Sequence, residues 1–242
     1  MNKMRVDKLL ANLGYGSRKE VKQLLKSGQV KINGAVAKDA KEQVDPNKDS
    51  ITLHGEVIEY KEFIYLMMNK PPGVLSATED NRVETVIDLL EIEDQVYEPF
   101  PVGRLDKDTE GLLLITNDGK LAHRLLSPKK HVPKTYFAVI DGEVTEADIA
   151  VFAKGVMLDD GYVTKPGELV ILKSGLRSDI ELTITEGKFH QVKRMFQAVG
   201  KRVVYLQRIS MGPLALDETM ELGEYRELTE EEIEVLLAYE AK

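Results

Sequence analysis

The sequence of 242 residues contains no cysteine. This absence excludes disulfide bonds, zinc sites built from thiolates and a cysteine nucleophile, and it is typical of a reducing compartment. No hydrophobic run approaches the length of a membrane span, and the first five residues, MNKMR, lack the apolar core of a signal peptide. With 43% hydrophobic and 31% charged residues the composition is that of a globular protein, so we expect a cytoplasmic protein without a membrane partner.

Acidic residues outnumber basic ones in the whole chain, but the basic residues are concentrated at one end. The net charge is -8, yet residues 1–41 hold ten lysines and arginines against three acidic residues, a local charge of +7. Residues 217–242 hold ten acidic side chains and only two basic ones. The mean charge therefore hides a basic N-terminal segment, which is typical of nucleic-acid binding, and an acidic C-terminal segment that we interpret as a surface helix.

The basic segment predicts two helices followed by a hairpin. Ser17 and Glu20 have the spacing of a capping box for the second helix, and Gly28 is placed to end it. The sequence VKINGAV at residues 30–36 alternates around Asn-Gly, the strongest short signal of a β-hairpin. Apolar residues at helical spacing predict a first helix that ends at Gly14; they are Val6, Leu9, Leu10 and Leu13.

Basic side chains lie opposite the apolar face of the second predicted helix. A lone row of lysines is more often a solvated surface than a binding site, but here it is combined with a loop arginine and a following hairpin. This combination favours contact with RNA phosphates. The residues concerned are Arg18, Lys19, Lys22 and Lys26.

A change in hydrophobic pattern near residues 59–62 indicates a domain boundary, so we expect one domain over residues 1–60 and another over 61–242. In the second part apolar runs predict strands at residues 63–68, 112–116, 135–140, 168–172 and 180–185. Short helices are predicted near residues 83–90, 120–126, 145–153 and 190–199, with a last one at 230–242. The order is not a regular βαβ series, which favours an α+β domain with a mixed, largely antiparallel sheet.

The most informative stretch is residues 102–119, VGRLDKDTEGLLLITNDG, because it places Asp106 in a loop before an apolar strand. Reacting side chains usually lie on loops that a rigid strand holds. Arg104 lies two residues away, and we expect it to keep the Asp106 carboxylate ionised and to fix its direction. An ionised carboxylate suits a nucleophile or a general base.

Three other interpretations of this loop compete with catalysis. Asp106, Asp108, Glu110 and Gly111 match the start of an EF-hand calcium loop, but the twelfth position is Asn117 instead of glutamate and no entering helix is predicted. A glycosidase with paired carboxylates would need the two aspartates to face one substrate, whereas we expect them to point in opposite directions. A solvated turn is the third interpretation, and spacing alone does not decide between it and catalysis.

The pattern GRLDxDTxGLLLxTNDG resembles the signature of the RsuA-type pseudouridine synthases, enzymes of small-subunit ribosomal RNA. Further segments follow in the order of that family: NKPPG at 69–73, KTY at 134–136, FAKGV at 152–156, TKP at 164–166, EGKFHQVKRMFQAVG at 186–200 and GEYRELT at 223–229. The resemblance covers almost the whole chain. It implies an N-terminal S4 RNA-binding domain and a catalytic domain that isomerises uridine without a cofactor or metal.

The resemblance also implies roles for particular residues. Asp106 would take part in breaking the glycosidic bond, Tyr136 would lie against the uracil, and Lys193 would pair with Asp106. Many relatives carry arginine at the position of Lys193, and lysine cannot form the same bidentate contact. A core tyrosine is the alternative for Tyr136.

A second basic surface is expected along residues 188–208, where six cations occur without an acid. The RNA contacts expected in the catalytic domain are Lys70, Lys188, His190 and Arg194, with helix capping as an equal alternative for His190. The remaining cations of the surface are Lys193, Lys201, Arg202 and Arg208.

The expected function is therefore isomerisation of one uridine in 16S rRNA, in a partly assembled small subunit, by a monomeric enzyme. The segment GKFHQVKRM at residues 187–195 resembles the small-subunit group, because large-subunit relatives tend to carry Asn and Arg where Phe189 and His190 stand. Two alternatives stay open: a synthase acting on 23S rRNA, and an S4-containing RNA-binding or ribosome-assembly factor without catalysis.

Overall fold

The computed structural model describes residues 3–46 and 48–240. The chain divides into two compact units. One comprises the N-terminal part through Ile64 together with Leu90–Pro99, and the other comprises Tyr65–Leu89 and Phe100 to the C-terminus. No helix of the described residues is long and apolar enough to cross a membrane.

The N-terminal unit consists of short elements around its own core. Its helices are α1 (Val6–Asn12), α2 (Arg18–Lys26) and α3 (Ile92–Gln95). Its strands are β1 (Met4–Arg5), β2 (Val30–Ile32), β3 (Ala35–Val36), β4 (Gln43–Val44), β5 (Ile51–Leu53) and β6 (Glu56–Val57). Strands β3-β2-β5-β6 form an antiparallel sheet, and β1 pairs with β4.

Local signals explain the helix pair and the hairpin. The Ser17 side chain accepts a hydrogen bond from the Glu20 backbone N–H, and the Glu20 carboxylate accepts one from the Ser17 N–H, which completes the predicted capping box. Val21 and Leu25 are buried on the inner face of α2. Asn33 and Gly34 both have positive φ angles, 51° and 83°, as a tight hairpin turn between β2 and β3 requires.

The described residues of the second unit form nine strands and four α-helices. The strands are β7 (Tyr65–Lys70), β8 (Phe100–Pro101), β9 (Glu110–Thr116), β10 (Lys134–Asp141), β11 (Glu168–Lys173), β12 (Arg177–Ile184), β13 (Arg202–Met211), β14 (Leu214–Ala215) and β15 (Tyr225–Glu227). The helices are α4 (Gly119–Leu126), α5 (Glu146–Phe152), α6 (Gln191–Ala198) and α7 (Glu230–Ala238).

These strands form one mixed sheet in the order β11-β12-β10-β13-β9-β7-β15, and β8 and β14 pair with β9 and β13. Among the strands of the described residues only β9 and β13 run parallel to one another, so the prediction of a mixed, largely antiparallel sheet is confirmed. The helix predicted at 83–90 is wrong, because that segment forms turns in which Asp88 accepts hydrogen bonds from Thr85. The last helix ends at Ala238, and residues 241–242 of its predicted range lie outside the described residues.

The close approach of β9 and β13 requires a glycine at one position of the 102–119 stretch. Gly111 lies opposite Arg208 in the parallel pairing and has a φ of +99°. A Cβ atom at this position would lie 2.3 Å from the Arg208 carbonyl oxygen. Residue 111 therefore has to be glycine for the two central strands to pair.

Candidate active site

The loop that carries Asp106 is held at several points by buried hydrogen bonds. The Ser76 hydroxyl contacts both backbone groups of Leu105, at 3.1 Å from its N–H and 3.2 Å from its carbonyl. The Lys70 ammonium donates to the carbonyls of Thr109 at 3.0 Å and Lys107 at 3.3 Å. These contacts fix the backbone on both sides of Asp106.

Lys70 is fully buried, so its expected contact with RNA is wrong. Its third hydrogen bond goes to the Pro71 carbonyl at 2.9 Å, and all three donors of the ammonium are thereby directed at backbone oxygens. Burial lowers the pKa of Lys70 to about 8, partly opposed by the negative charges of Asp108, Glu110 and Asp106. Sequence reasoning missed this role because burial of a lysine depends on tertiary packing.

The Asp106 carboxylate pairs with Lys193, at 3.0 Å from Oδ2 to Nζ. The same ammonium contacts Asp108 at 2.6 Å, so the expectation that the two aspartates point apart is wrong. The segment is not extended: Lys107 and Asp108 form a turn in which the Thr109 N–H donates to the Asp106 carbonyl at 3.0 Å. Arg104 makes no hydrogen bond or ion pair with any described residue, so Lys193, not Arg104, supplies the countercharge of Asp106.

The two aspartates also set the charge of Lys193. Burial alone would lower the pKa of Lys193, but hydrogen bonds to Asp108 and Asp106 outweigh it and the pKa is raised. The hydrogen bond from Lys193 lowers the pKa of Asp108 in turn. The cluster thus carries a fixed ammonium between two carboxylates, and Asp108, at the exposed side, competes with Asp106 for it.

A cavity of about 70 Å³ lies directly beside Asp106. Arg104 and Tyr136 also line it, and Tyr136 is only 8% exposed. Its apolar walls are formed by Leu105, Ile184, Val192 and Leu206. A carboxylate, an aromatic side chain and an exposed cation therefore meet at one apolar pocket, as chemistry on an extruded base requires.

His190 lies at the start of α6 without capping it. Its φ of 49° is left-handed, and its side chain makes no capping hydrogen bond. The ring instead stacks on Phe189, with 3.7 Å between ring centroids, while Nε2 lies 3.7 Å from Asp106 Oδ1. His190 thus occupies the N-cap position, but the expectation that its side chain caps the helix is wrong; the Phe189 ring on which it stacks is 76% exposed.

The basic surface expected over residues 188–208 is mostly neutralised. Arg194 pairs with Asp159 and with Asp160, the latter at 2.7 Å, so it is not a free cation. Lys201 pairs with Asp148 at 2.7 Å, and Arg202 pairs with Asp141 at 2.8 Å. Arg208 is buried in β13, a strand that the sequence analysis missed.

Lys188 is the one expected RNA contact of this segment that lines the cavity without an ion pair among the described residues. Its ammonium lies 4.6 Å from the centre of the Tyr162 ring. Lys188 is therefore a cation at the cavity that remains available to a phosphate.

The acidic residues of the calcium pattern have other partners. Asp106 and Asp108 share Lys193, and Glu110 accepts a hydrogen bond from the Tyr205 hydroxyl at 2.7 Å. Burial and this hydrogen bond raise the pKa of Tyr205. Over the described residues no group of three or more His, Asp or Glu side chains is arranged to hold a metal ion.

Comparison with known proteins agrees with this geometry. The family model described as RNA pseudouridylate synthase matches residues 64–198, more than half of the chain. The chain belongs to this family. The enzyme is therefore a pseudouridine synthase, and a second model, the S4 domain, matches residues 4–49.

Several relatives are similar to this pseudouridine synthase over nearly their full length. An RNA pseudouridine synthase of Bacillus subtilis is 60% identical over 96% of this chain and 98% of its own length. A ribosomal small subunit pseudouridine synthase A of Vibrio cholerae is 43% identical, covering 95% of this chain and 98% of its own. A crystal structure of a pseudouridylate synthase superimposes with a TM-score of 0.67 at 38% identity, covering 96% and 99% of the two chains.

The S4 domain of this pseudouridine synthase carries a row of exposed cations on α2, beginning at the first residue of the helix. None of these side chains makes a hydrogen bond or ion pair with a described residue, and all are exposed. Free cations on one helix face are suited to RNA phosphates. We call this set the S4 stripe; its members are Arg18, Lys19, Lys22 and Lys26.

Proposed function

We propose that this enzyme converts a single uridine of 16S rRNA to pseudouridine, with Asp106 as the catalytic carboxylate. The observation that carries the proposal is the position of Asp106 beside the cavity, paired with Lys193 and adjacent to Tyr136. The names of the relatives in Vibrio cholerae and Haemophilus influenzae, ribosomal small subunit pseudouridine synthase A, support the choice of RNA.

In this proposal the target nucleotide turns out of its stack and places the uracil in the cavity. Asp106 takes part in breaking the bond between C1′ and N1, and Lys193 holds its carboxylate in place. The uracil then rotates and a bond forms between C1′ and C5. C5 loses a proton and N1 gains one, so the reaction is an isomerisation that needs no cofactor and no metal.

The remaining cavity residues have supporting roles. Tyr136 packs against the uracil and stands near the C5 proton. Arg104, an exposed cation that lines the cavity, contacts the RNA at the extruded nucleotide, while Lys188 and His190 contact its flanks.

The S4 stripe binds a neighbouring part of the RNA in this proposal. We propose an S4 domain over residues 1–60 and a catalytic domain over 61–242, and a monomer acting on a partly assembled small subunit. A ribosomal substrate also implies the cytoplasm, where subunits are assembled.

The test is to incubate the pure enzyme with separate 16S and 23S rRNA, with a chelator and without added cofactor, and to map pseudouridine at single-nucleotide resolution. We expect one modified position in 16S rRNA. Pseudouridine only in 23S rRNA would contradict the choice of substrate. RNA binding without pseudouridine in either RNA, also in partly assembled subunits, would favour an assembly factor.

A further inference from the structure

A second and larger cavity, of about 380 Å³, adjoins the first along the side of Tyr136. Tyr136, Arg104, Gly187 and Lys188 line both cavities. We call it the lateral cavity. Its lining is strongly cationic: Arg104, Lys134, Lys165, Lys188 and Arg208 contribute positive charge, and Glu186 is its only acidic residue.

Glu186 offsets only one of these five positive charges, and its oxygens accept hydrogen bonds from other groups. One oxygen accepts from the Tyr162 hydroxyl at 2.7 Å, and the other accepts from the Lys165 N–H and from Gln191 Nε2, each at 2.9 Å. The lateral cavity thus keeps an excess of positive charge with its one carboxylate engaged.

The innermost cation, Arg208, is buried without a counterion. It is 2% exposed, its Nε donates to the Leu112 carbonyl at 2.8 Å, and its Nη2 has no hydrogen-bond partner among the described residues. A buried guanidinium without a carboxylate is costly unless another group satisfies it. The free Nη2 is the clearest sign that the lateral cavity takes an anion.

Lys134 is the second buried cation of the lateral cavity. Its ammonium donates to the Val132 carbonyl at 2.9 Å and has no carboxylate partner among the described residues. Burial, with a further contribution from the positive charge of Arg208, lowers the pKa of Lys134 to about 8. Two buried cations that repel one another are stabilised by an anion between them.

The strand register places both cations beside the tyrosine expected to contact the uracil. Lys134 and Tyr136 lie on the same face of β10, and Arg208 lies opposite Tyr136 on β13. An anion bound here would therefore be next to the reacting nucleotide. In RNA the group at that position is a phosphodiester.

We propose that the lateral cavity binds a phosphodiester flanking the target uridine, through Arg208 and Lys134. This inference rests on the proposed function, since it assumes an RNA substrate whose uracil reaches the first cavity. The phosphodiester fixes the position of the extruded nucleotide. We therefore expect its contact to affect both the rate at which bound RNA reacts and the affinity for RNA.

The experiment uses the full-length enzyme and a synthetic RNA fragment that contains the mapped uridine. In separate copies the 5′ or the 3′ phosphate of that uridine is replaced by an uncharged methylphosphonate. We expect one of the two replacements to lower kcat/KM by about 10- to 100-fold, as for the loss of charge-assisted hydrogen bonds. An increase in the Kd should account for part of this decrease.

Variants of the cations identify the site of this effect. In Arg208→Gln and in Lys134→Met the sensitive methylphosphonate should have a smaller effect than in the wild type, because one of the two cationic contacts is already lost. In the double variant its further effect should be less than about twofold. Lys173→Met, an exposed lysine of β11 outside both cavities, should keep the full sensitivity of the wild type. Lys165→Met changes a half-exposed lysine of the lateral cavity and should reduce the sensitivity to the methylphosphonate. Because this lysine is not buried, the variant can be used if Arg208→Gln or Lys134→Met fails to fold.

Wild-type enzyme that is insensitive to both methylphosphonates would overturn the proposal, and so would full sensitivity in folded Arg208→Gln. The proposed function is tested separately, by measuring pseudouridine formation in the unmodified RNA. Absence of pseudouridine in that RNA contradicts the function, while the Kd comparison still decides whether the lateral cavity contacts a phosphodiester.

Discussion

Replacing Lys70 by methionine tests how the loop around Asp106 is held. Methionine fills a similar volume but cannot donate to the carbonyls of Pro71 and Thr109, while the Lys107 carbonyl keeps the Gly73 N–H as a donor at 2.7 Å. The buried Thr109 carbonyl left unsatisfied costs about 1–3 kcal/mol and the half-buried Pro71 carbonyl costs less, which together predict a loss of roughly 2–5 kcal/mol.

For a unit of this size the loss corresponds to a decrease in Tm of roughly 4–20 °C. Thermal unfolding followed by circular dichroism measures it. Lys107→Met is the matched control, because it makes the same change on the same loop at an exposed side chain and should alter stability by less than about 0.5 kcal/mol. Equal stability of wild type and Lys70→Met would refute this account of the loop.

The pH dependence gives a second measurement on the same variant. Since the pKa of Lys70 is lowered to about 8 in the folded state, the unfolded chain binds more protons between pH 8 and its ordinary pKa of 10.5. The free energy of unfolding of the wild type should therefore rise with pH through this window. In Lys70→Met this rise should be smaller, with only other groups such as Lys134 contributing to it.

Three further predictions follow from the site and the fold. Lys193→Met should lower kcat about 100-fold with RNA affinity within about twofold, because Asp106 loses its countercharge, and Lys193→Arg should restore part of the rate in single-turnover kinetics. A single-turnover rate of Lys193→Arg that is no higher than that of Lys193→Met would contradict the role of a positioning charge. Gly111→Ala should destabilise the enzyme by more than about 3 kcal/mol in denaturant unfolding, since its Cβ would meet the Arg208 carbonyl, whereas Gly119→Ala has open space and should be neutral. Changing the three lysines of the S4 stripe to glutamine should reduce the slope of log affinity against log salt by about two to three, and an unchanged slope would show that the stripe does not touch phosphate.

The elements predicted correctly from sequence are those fixed by neighbouring residues. The capping box of Ser17 and Glu20 and the Asn33-Gly34 turn act within four residues, so their signals are complete in the local sequence. Strand β13 was missed because its two arginines, Arg202 and Arg208, were interpreted as part of a cationic surface. Its place between β10 and β9 is decided by pairing with distant strands.

The candidate site shows the same division. The position of Asp106 in a loop before an apolar strand could be predicted from local sequence. Its pairing with Lys193 of α6 followed only from the family resemblance and is confirmed, whereas local spacing favoured the neighbouring Arg104. Lys70 was expected on the surface and is buried, because only the folded loop brings three carbonyls around its ammonium. Local spacing identifies a reacting group more readily than it identifies the groups that hold it.

The most direct test of the central claim is pseudouridine formation by Asp106→Asn. Asparagine keeps the size of the side chain and leaves the S4 stripe and the cavity cations in place, so RNA affinity should stay within about twofold. We predict that single-turnover assays on 16S rRNA, with the product mapped at the target uridine, find no pseudouridine from the variant while the wild type converts that site. Conversion by Asp106→Asn at the wild-type rate would contradict the assignment of Asp106 as the catalytic carboxylate.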